Sequence, residues 1–177
     1  MVEMKAVVEV TGGHLVLSGR MTRHEFDTAL AAIDEYNRDE DSPEPCLGLL
    51  ERELIIMSGG LAVRDTETGV RIGPGCCFGL EDWRDWGGLL DGEVPWLGHS
   101  PTPGVEVAAG VVTLRQDEER AGGPTCQIAI AELPGHLECV RQDLIGFVEL
   151  VRKWAPHGIG EELAARFDQD FRIGEPL

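Results

Sequence analysis

Short apolar runs separated by turn residues predict a series of β-strands. The first two runs lie at 5–10 and 14–18 and flank the turn sequence Thr11-Gly12-Gly13, which predicts a hairpin. Further strands are expected at residues 47–50, 53–57, 61–64, 69–72, 105–107, 111–114 and 126–131, although a helix is an alternative for 47–50. Turn residues at 65–68 and 108–110 predict two more hairpins, and the acidic, proline-containing segment 39–45 predicts a loop.

Apolar residues at three- and four-residue steps predict helices in four other segments. Thr22 and Glu25 have the spacing of a capping box, so a helix should begin there and end near Arg38. Its apolar face is expected to contain Phe26, Ala29, Leu30, Ala32, Ile33 and Tyr36. The strongest helical pattern runs from Leu137 to Trp154 with Pro134 suited to its first turn, and shorter helices are expected at 161–168 and 80–90.

This succession of strands and helices predicts one α+β domain that spans residues 1–177. A length of 177 residues is typical of a single domain with a substantial core. We expect a mainly antiparallel sheet with two principal helices packed on it. The segment from Gly73 to Pro103 is rich in Trp, Gly and Pro and is expected to be long and irregular, which is frequent in segments that carry function.

The charge of the chain limits its partners. Asp and Glu total 32 against 15 Lys and Arg, which gives a formal net charge of −17. Between Asp39 and Glu93 there are thirteen acidic residues and four arginines. Such a field disfavours nucleic acids and anionic membranes, and it favours a basic protein partner. The alternative is that the charge serves solubility alone.

The cysteines and the N-terminal residues favour a cytoplasmic location. The five cysteines lack the paired spacing of a disulfide framework, so reduced thiols are expected. The sequence MVEMKAVVEV has neither the apolar core nor the cleavage site of a signal peptide, and no apolar run is long enough for a membrane span. The oligomeric state is left open.

A candidate recognition surface lies in the central segment. Trp83, Trp86 and Trp96 are large side chains of the kind that anchor protein interfaces, and acids surround them. The candidate interface residues are Trp83, Trp86, Trp96, Asp82, Asp85 and Asp91. The alternative is that the tryptophans seal the core.

A second set of residues in the same segment would line a pocket: Cys76, Cys77, Glu81 and His99. No metal site is expected there, because adjacent cysteines in an extended chain point to opposite faces and no second ligand pair follows. One thiol is expected to be buried and the other to line a turn. A cysteine nucleophile would need a histidine base brought near by the fold. Glu81, Asp82 and Asp85 are interpreted as residues of a helix start, where the helix dipole favours acids.

No cofactor is expected. Glycine is abundant, but the chain lacks the glycine patterns that cradle nucleotide phosphates, and neither glycine doublet, Gly59-Gly60 or Gly87-Gly88, has an adjacent lysine.

The segment Glu81–Trp154 resembles the later part of the SMI1/KNR4-like superfamily. The resemblance is carried by Trp83-Arg84-Asp85-Trp86-Gly87-Gly88, the hairpin 105–114 with its acidic turn, the strand 126–131 and the helix 137–154. It covers less than half of the chain, and the N-terminal part departs from it in having strands before the first helix and no Leu-Pro-x-x-Tyr segment. The sequences GCCFGLEDWRDW and WLGHSPTP also look like segments of uncharacterised actinobacterial proteins.

Two hypotheses follow. The superfamily resemblance implies a bacterial immunity protein that neutralises a toxin, and with the charge it favours a non-enzymatic binding protein for a basic partner. The alternative is an enzyme or small-ligand-binding protein whose pocket is formed by residues 73–103. A structural subunit of a larger complex is a third hypothesis.

Overall fold

The computed structural model describes residues 1–38, 44–120 and 122–177 and has an α+β fold. Most of the acidic loop predicted at 39–45 lies outside the described residues. The first sheet is antiparallel with the order β2-β1-β3-β4. Its strands are β1 (Val2–Val10), β2 (Gly13–Val16), β3 (Gly59–Asp65) and β4 (Arg71–Ile72). The second antiparallel sheet has the order β5-β6-β7. It consists of β5 (Gly104–Ala108), β6 (Val111–Arg115) and β7 (Thr125–Ala129).

Strand β1 is central to the first sheet because it pairs with a strand on each side. A side chain at Gly59 would place its Cβ 2.1 Å from the Val7 carbonyl oxygen. Because Gly59 has no side chain, β3 can lie closely against β1 at this position.

Three α-helices pack around these sheets: α1 (Arg23–Asn37), α2 (Leu133–Trp154) and α3 (Gly160–Phe171). The predicted capping box is present, with Thr22 Oγ1 accepting from the Glu25 N–H and the Glu25 carboxylate accepting from the Thr22 N–H. Helices α1 and α2 both pack against β1, as expected. Phe26, Phe147, Phe167 and Phe171 form successive ring contacts at 5.8–6.1 Å between centroids, so the three helices share one core.

The strand expected at 53–57 is absent, and for 47–50 the helical alternative holds. Residues Leu47–Glu51 form a short 3₁₀ helix, and residues 53–57 are irregular. The backbone N–H groups of Ile55 and Ile56 donate to the side chains of Asp170 and Asn37, at 2.9 Å in both cases. Because distant side chains satisfy this backbone, it does not need a neighbouring strand.

The helix predicted at 80–90 is present in the central segment. A 3₁₀ helix covers Leu80–Asp91 and is called the central helix below. It contacts β1, β3, α2 and α3, which places it across the middle of the molecule. Within the described ranges, no helix has both the length and the apolar character needed to cross a bilayer.

Candidate functional site

The central helix repeats every three residues. A 3₁₀ helix has three residues per turn, so side chains three apart lie one above the other. Leu80, Trp83, Trp86 and Leu89 follow this spacing, and all four are buried. They form a single apolar ridge that holds the helix against the core.

A second row on the same helix carries the acids. Asp82, Asp85 and Asp91 share the three-residue phase, with Gly88 between the second and third, and all three aspartates are exposed. Partial burial, and then the negative charge of Asp85, raise the pKa of Asp82. At a rise of about 2 Å per residue this acidic row extends about 18 Å. The sequence prediction grouped these three acids, and the structure places them on one exposed face.

Two of the three predicted anchor residues are not on the surface. Trp83 is 0% and Trp86 1% exposed, and the Trp83 Nε1–H donates to the Phe171 carbonyl at 2.9 Å. Both indoles belong to the apolar ridge, because the period of the helix separates them from the aspartates. They therefore cannot anchor a partner, and the alternative that tryptophans seal the core holds for these two.

Trp96 is the exposed tryptophan of the central segment. Its side chain is 57% exposed and lies edge-on to Phe78, with ring centroids 6.2 Å apart. Leu90, in the last turn of the central helix, and Val94, between that helix and Trp96, are also exposed large apolar residues. We call Leu90, Val94 and Trp96 the apolar group; along the chain it brackets Asp91, the last residue of the acidic row.

Arg84 lies on the third face of the central helix, and its guanidinium is engaged by the protein. It lies over the Trp83 ring at 5.1 Å and donates to the carbonyls of Arg172, Glu175 and Pro176. The guanidinium is therefore directed to the C-terminal segment rather than to the acidic row.

Cys76, Cys77 and His99 converge on one exposed spot, called the thiol–imidazole cluster below. Their ligand atoms all lie within 4.8 Å of one another, and the two sulfurs are 3.2 Å apart. Cys76 and His99 are paired in an isolated antiparallel bridge, which brings two distant segments side by side. Both cysteines are exposed, so the prediction that one of them is buried is wrong.

Local backbone geometry explains why the two thiols meet. Cys77 has a φ of 63°, so the dipeptide is bent and the argument from an extended chain does not apply. A Cβ on Gly75 would lie 2.4 Å from the Pro101 carbonyl oxygen, and one on Gly98 would lie 2.7 Å from the Gly75 carbonyl carbon. The two glycines therefore permit the contact that carries Cys76 to His99.

The electrostatic neighbours of this cluster are acidic. The hydrogen bond between the two thiols is the main cause of the raised pKa of Cys76. The negative charge of Glu9 raises that pKa further. Glu9 accepts a hydrogen bond of 2.7 Å from Ser58. A nucleophilic cysteine needs the opposite shift, so this environment does not activate Cys76 as a nucleophile.

Tyr36 lies close enough to Cys76 and Cys77 to be affected by their charges. The sequence pattern had assigned it to the apolar face of α1. It is 54% exposed. Partial burial first, and then the charges of Cys77, Glu81 and Cys76, raise its pKa. An open cleft of about 650 Å³ lies beside it, lined by Val8, Glu9, Thr11, Ile33, Tyr36 and Ser58 among others. Helical periodicity alone did not distinguish this residue from the buried ones.

Glu81 lies in the first turn of the central helix, as the helix-start interpretation expects, and has a structural role as well. Its Oε2 accepts from the Met57 N–H at 3.2 Å. Burial raises the pKa of Glu81 and outweighs the backbone hydrogen bonds that lower it. The Glu81 charge also reaches Tyr36, which places it near the cleft.

Comparison with protein-family models, with curated proteins and with solved structures gave no match to this chain. The features of this molecule that bear on its function are therefore the acidic row, the apolar group and the thiol–imidazole cluster.

Proposed function

We propose that this protein is a non-enzymatic binding protein that occludes a basic protein partner. The single observation that supports this most is the acidic row, in which Asp82, Asp85 and Asp91 share one exposed face of the central helix. A row about 18 Å long exceeds the screening length of about 8 Å at physiological salt. A basic surface of matching length would interact with each carboxylate locally, and the net charge of −17 would speed the encounter.

The apolar group supplies the second part of the proposed interface. Interfaces combine a desolvated apolar centre with a charged rim, and an exposed tryptophan is a frequent anchor. Trp96 replaces Trp83 and Trp86 in this role because it alone among the three is exposed.

The proposed partner is a toxin and the proposed location is the cytoplasm. The resemblance to the SMI1/KNR4-like superfamily supports the toxin partner. The unpaired cysteines support the cytoplasmic location. Co-expression with basic toxins encoded beside the gene should then rescue growth.

The test compares two triple variants with the same change in net charge. In one, Asp82, Asp85 and Asp91 are changed to Asn. In the matched control, the exposed acids Glu3, Glu119 and Glu162, all outside the central helix, are changed to Gln. Partners captured from the native host by the wild type are then measured for association rate at several salt concentrations.

The row variant is expected to associate on the order of 10-fold more slowly and to lose much of its salt dependence. Trp96→Ala is expected to weaken binding by about 2 kcal/mol through faster dissociation. Equal rates and equal salt slopes for the row variant and the control would contradict the proposal.

The runner-up function, a small-ligand-binding protein using residues 73–103, is favoured by one observation. The structure brings Cys76, Cys77 and His99 together, although His99 is distant in sequence from the cysteines.

A further inference from the structure

The thiol–imidazole cluster has the chemistry of a metal site. Thiolate and imidazole are the ligands that zinc-type cations prefer, whereas magnesium and calcium prefer oxygen. The cluster offers two sulfurs and one imidazole nitrogen within 4.8 Å of one another. This set is independent of the acidic row.

We propose that Cys76, Cys77 and His99 bind a thiophilic divalent cation of the zinc class, with water as the fourth ligand. Two metal–sulfur bonds and one metal–nitrogen bond replace bonds to water in the hydrated ion. The displaced water molecules and the two thiol protons pass to solvent. Three protein ligands plus water is the arrangement of zinc sites that keep one position open. The exposure of all three ligands leaves that position facing solvent.

The distances fit tetrahedral coordination with little movement. With zinc–sulfur bonds of about 2.3 Å, two thiolates on one tetrahedral ion lie about 3.7 Å apart. The two sulfurs are 3.2 Å apart without a bond between them, so small side-chain rotations suffice. The bridge between Cys76 and His99 fixes the third ligand, with backbone hydrogen bonds of 2.6 and 3.1 Å.

The surroundings of the cluster favour a cation. Glu9, on β1, places negative charge near Cys76. Ser100 Oγ lies 3.3 Å from His99 Nδ1. When this hydroxyl accepts a hydrogen bond from Nδ1–H, the other ring nitrogen carries the lone pair that a metal needs.

The backbone of Cys77 adds a second observation. A non-glycine residue with a φ of 63° is energetically unfavourable and is typical of sites with a functional constraint. Here the unusual backbone places two soft ligands on one side of the chain, which is what chelation by adjacent cysteines requires.

The test uses metal-free full-length protein kept reduced with a non-thiol reductant and titrated with Co²⁺ alone. The wild type is expected to give intense thiolate-to-cobalt charge-transfer absorption that saturates at one Co²⁺ per chain. Added Zn²⁺ should then abolish that absorption. Absence of the charge-transfer band in the wild type would overturn the proposal without any variant.

Single variants assign the ligands. Losing an outer hydrogen-bond partner of a metal ligand typically weakens metal binding by about 10- to 100-fold. Each of Cys76→Ser, Cys77→Ser and His99→Ala removes a direct ligand and should weaken Zn²⁺ binding by more than that. Cys139→Ser is the matched control, because Cys139 is another exposed cysteine and lies on α2. The control should bind like the wild type. Equal losses in Cys139→Ser and Cys76→Ser would show non-specific thiol binding and overturn the proposal.

Discussion

Cys76 and His99 face each other across an antiparallel bridge in which each backbone N–H donates to the other's carbonyl. The hydrogen bonds are 2.6 Å from Cys76 N and 3.1 Å from His99 N. Residues directly opposite in such a pair project their side chains to the same face. The backbone pairing therefore places the Cys76 thiol beside the His99 imidazole. The close backbone packing of Gly75 against Gly98 is then needed to hold the two side chains together.

Gly98→Ala is expected to disturb that packing. The new Cβ would lie 2.7 Å from the Gly75 carbonyl carbon, at a residue with a φ of 95°. Urea unfolding should show a loss of about 1–3 kcal/mol, and Co²⁺ absorption should fall with it. Gly87→Ala is the control, since its Cβ meets nothing within 4 Å, and it should stay within about 0.5 kcal/mol of the wild type. Similar losses for both variants would contradict the packing argument.

The two buried tryptophans should respond differently to the same substitution. Trp83→Phe removes the donor to the Phe171 carbonyl, whereas Trp86→Phe removes an indole N–H that has no hydrogen-bond partner among the described residues. Both lose similar volume. Trp83→Phe should therefore be more destabilising than Trp86→Phe by about 1–3 kcal/mol in urea unfolding. The reverse order would show that packing outweighs the hydrogen bond.

Glu81 should make stability depend on pH. Its pKa in the folded protein is raised above the ordinary value of 4.5, so the folded state holds the proton more tightly than the unfolded state. Its contribution is complete below about pH 4.5 and is lost as the pH rises through the folded pKa. Glu81→Gln cannot ionise, so it should gain stability relative to the wild type as the pH rises from 4 to 7.

The measurement for Glu81 is urea unfolding of both proteins across that pH range. Glu53→Gln, at an exposed position outside the central helix, is the control and should track the wild type. A constant difference between Glu81→Gln and the wild type at every pH would contradict the expected linkage.

Local signals in the sequence predicted most of the helices and strands. The capping box of Thr22 and Glu25, the periodicity of α2 and the hairpins around β1–β2 and β5–β6 depend on near neighbours and were all confirmed. Segment 53–57 was predicted incorrectly because its partners, Asn37 and Asp170, are far away in sequence. An apolar run alone does not reveal which groups satisfy its backbone.

The candidate sites were accessible to sequence reasoning only in part. The spacing of Asp82, Asp85 and Asp91 is visible in the sequence, but it defines a face only once the helix is known to have three residues per turn. The cluster of Cys76, Cys77 and His99 depends on the bend at Cys77 and on a long-range bridge. Neither leaves a periodic pattern in the sequence.

The strict three-residue repeat of the central helix restricts how its length can vary. One inserted residue would turn every later side chain by about 120°, carrying a carboxylate toward the interior and an indole toward water. Insertions or deletions of three residues would keep both the apolar ridge and the acidic row on their own faces. Tolerated length changes between Leu80 and Asp91 should therefore come in multiples of three.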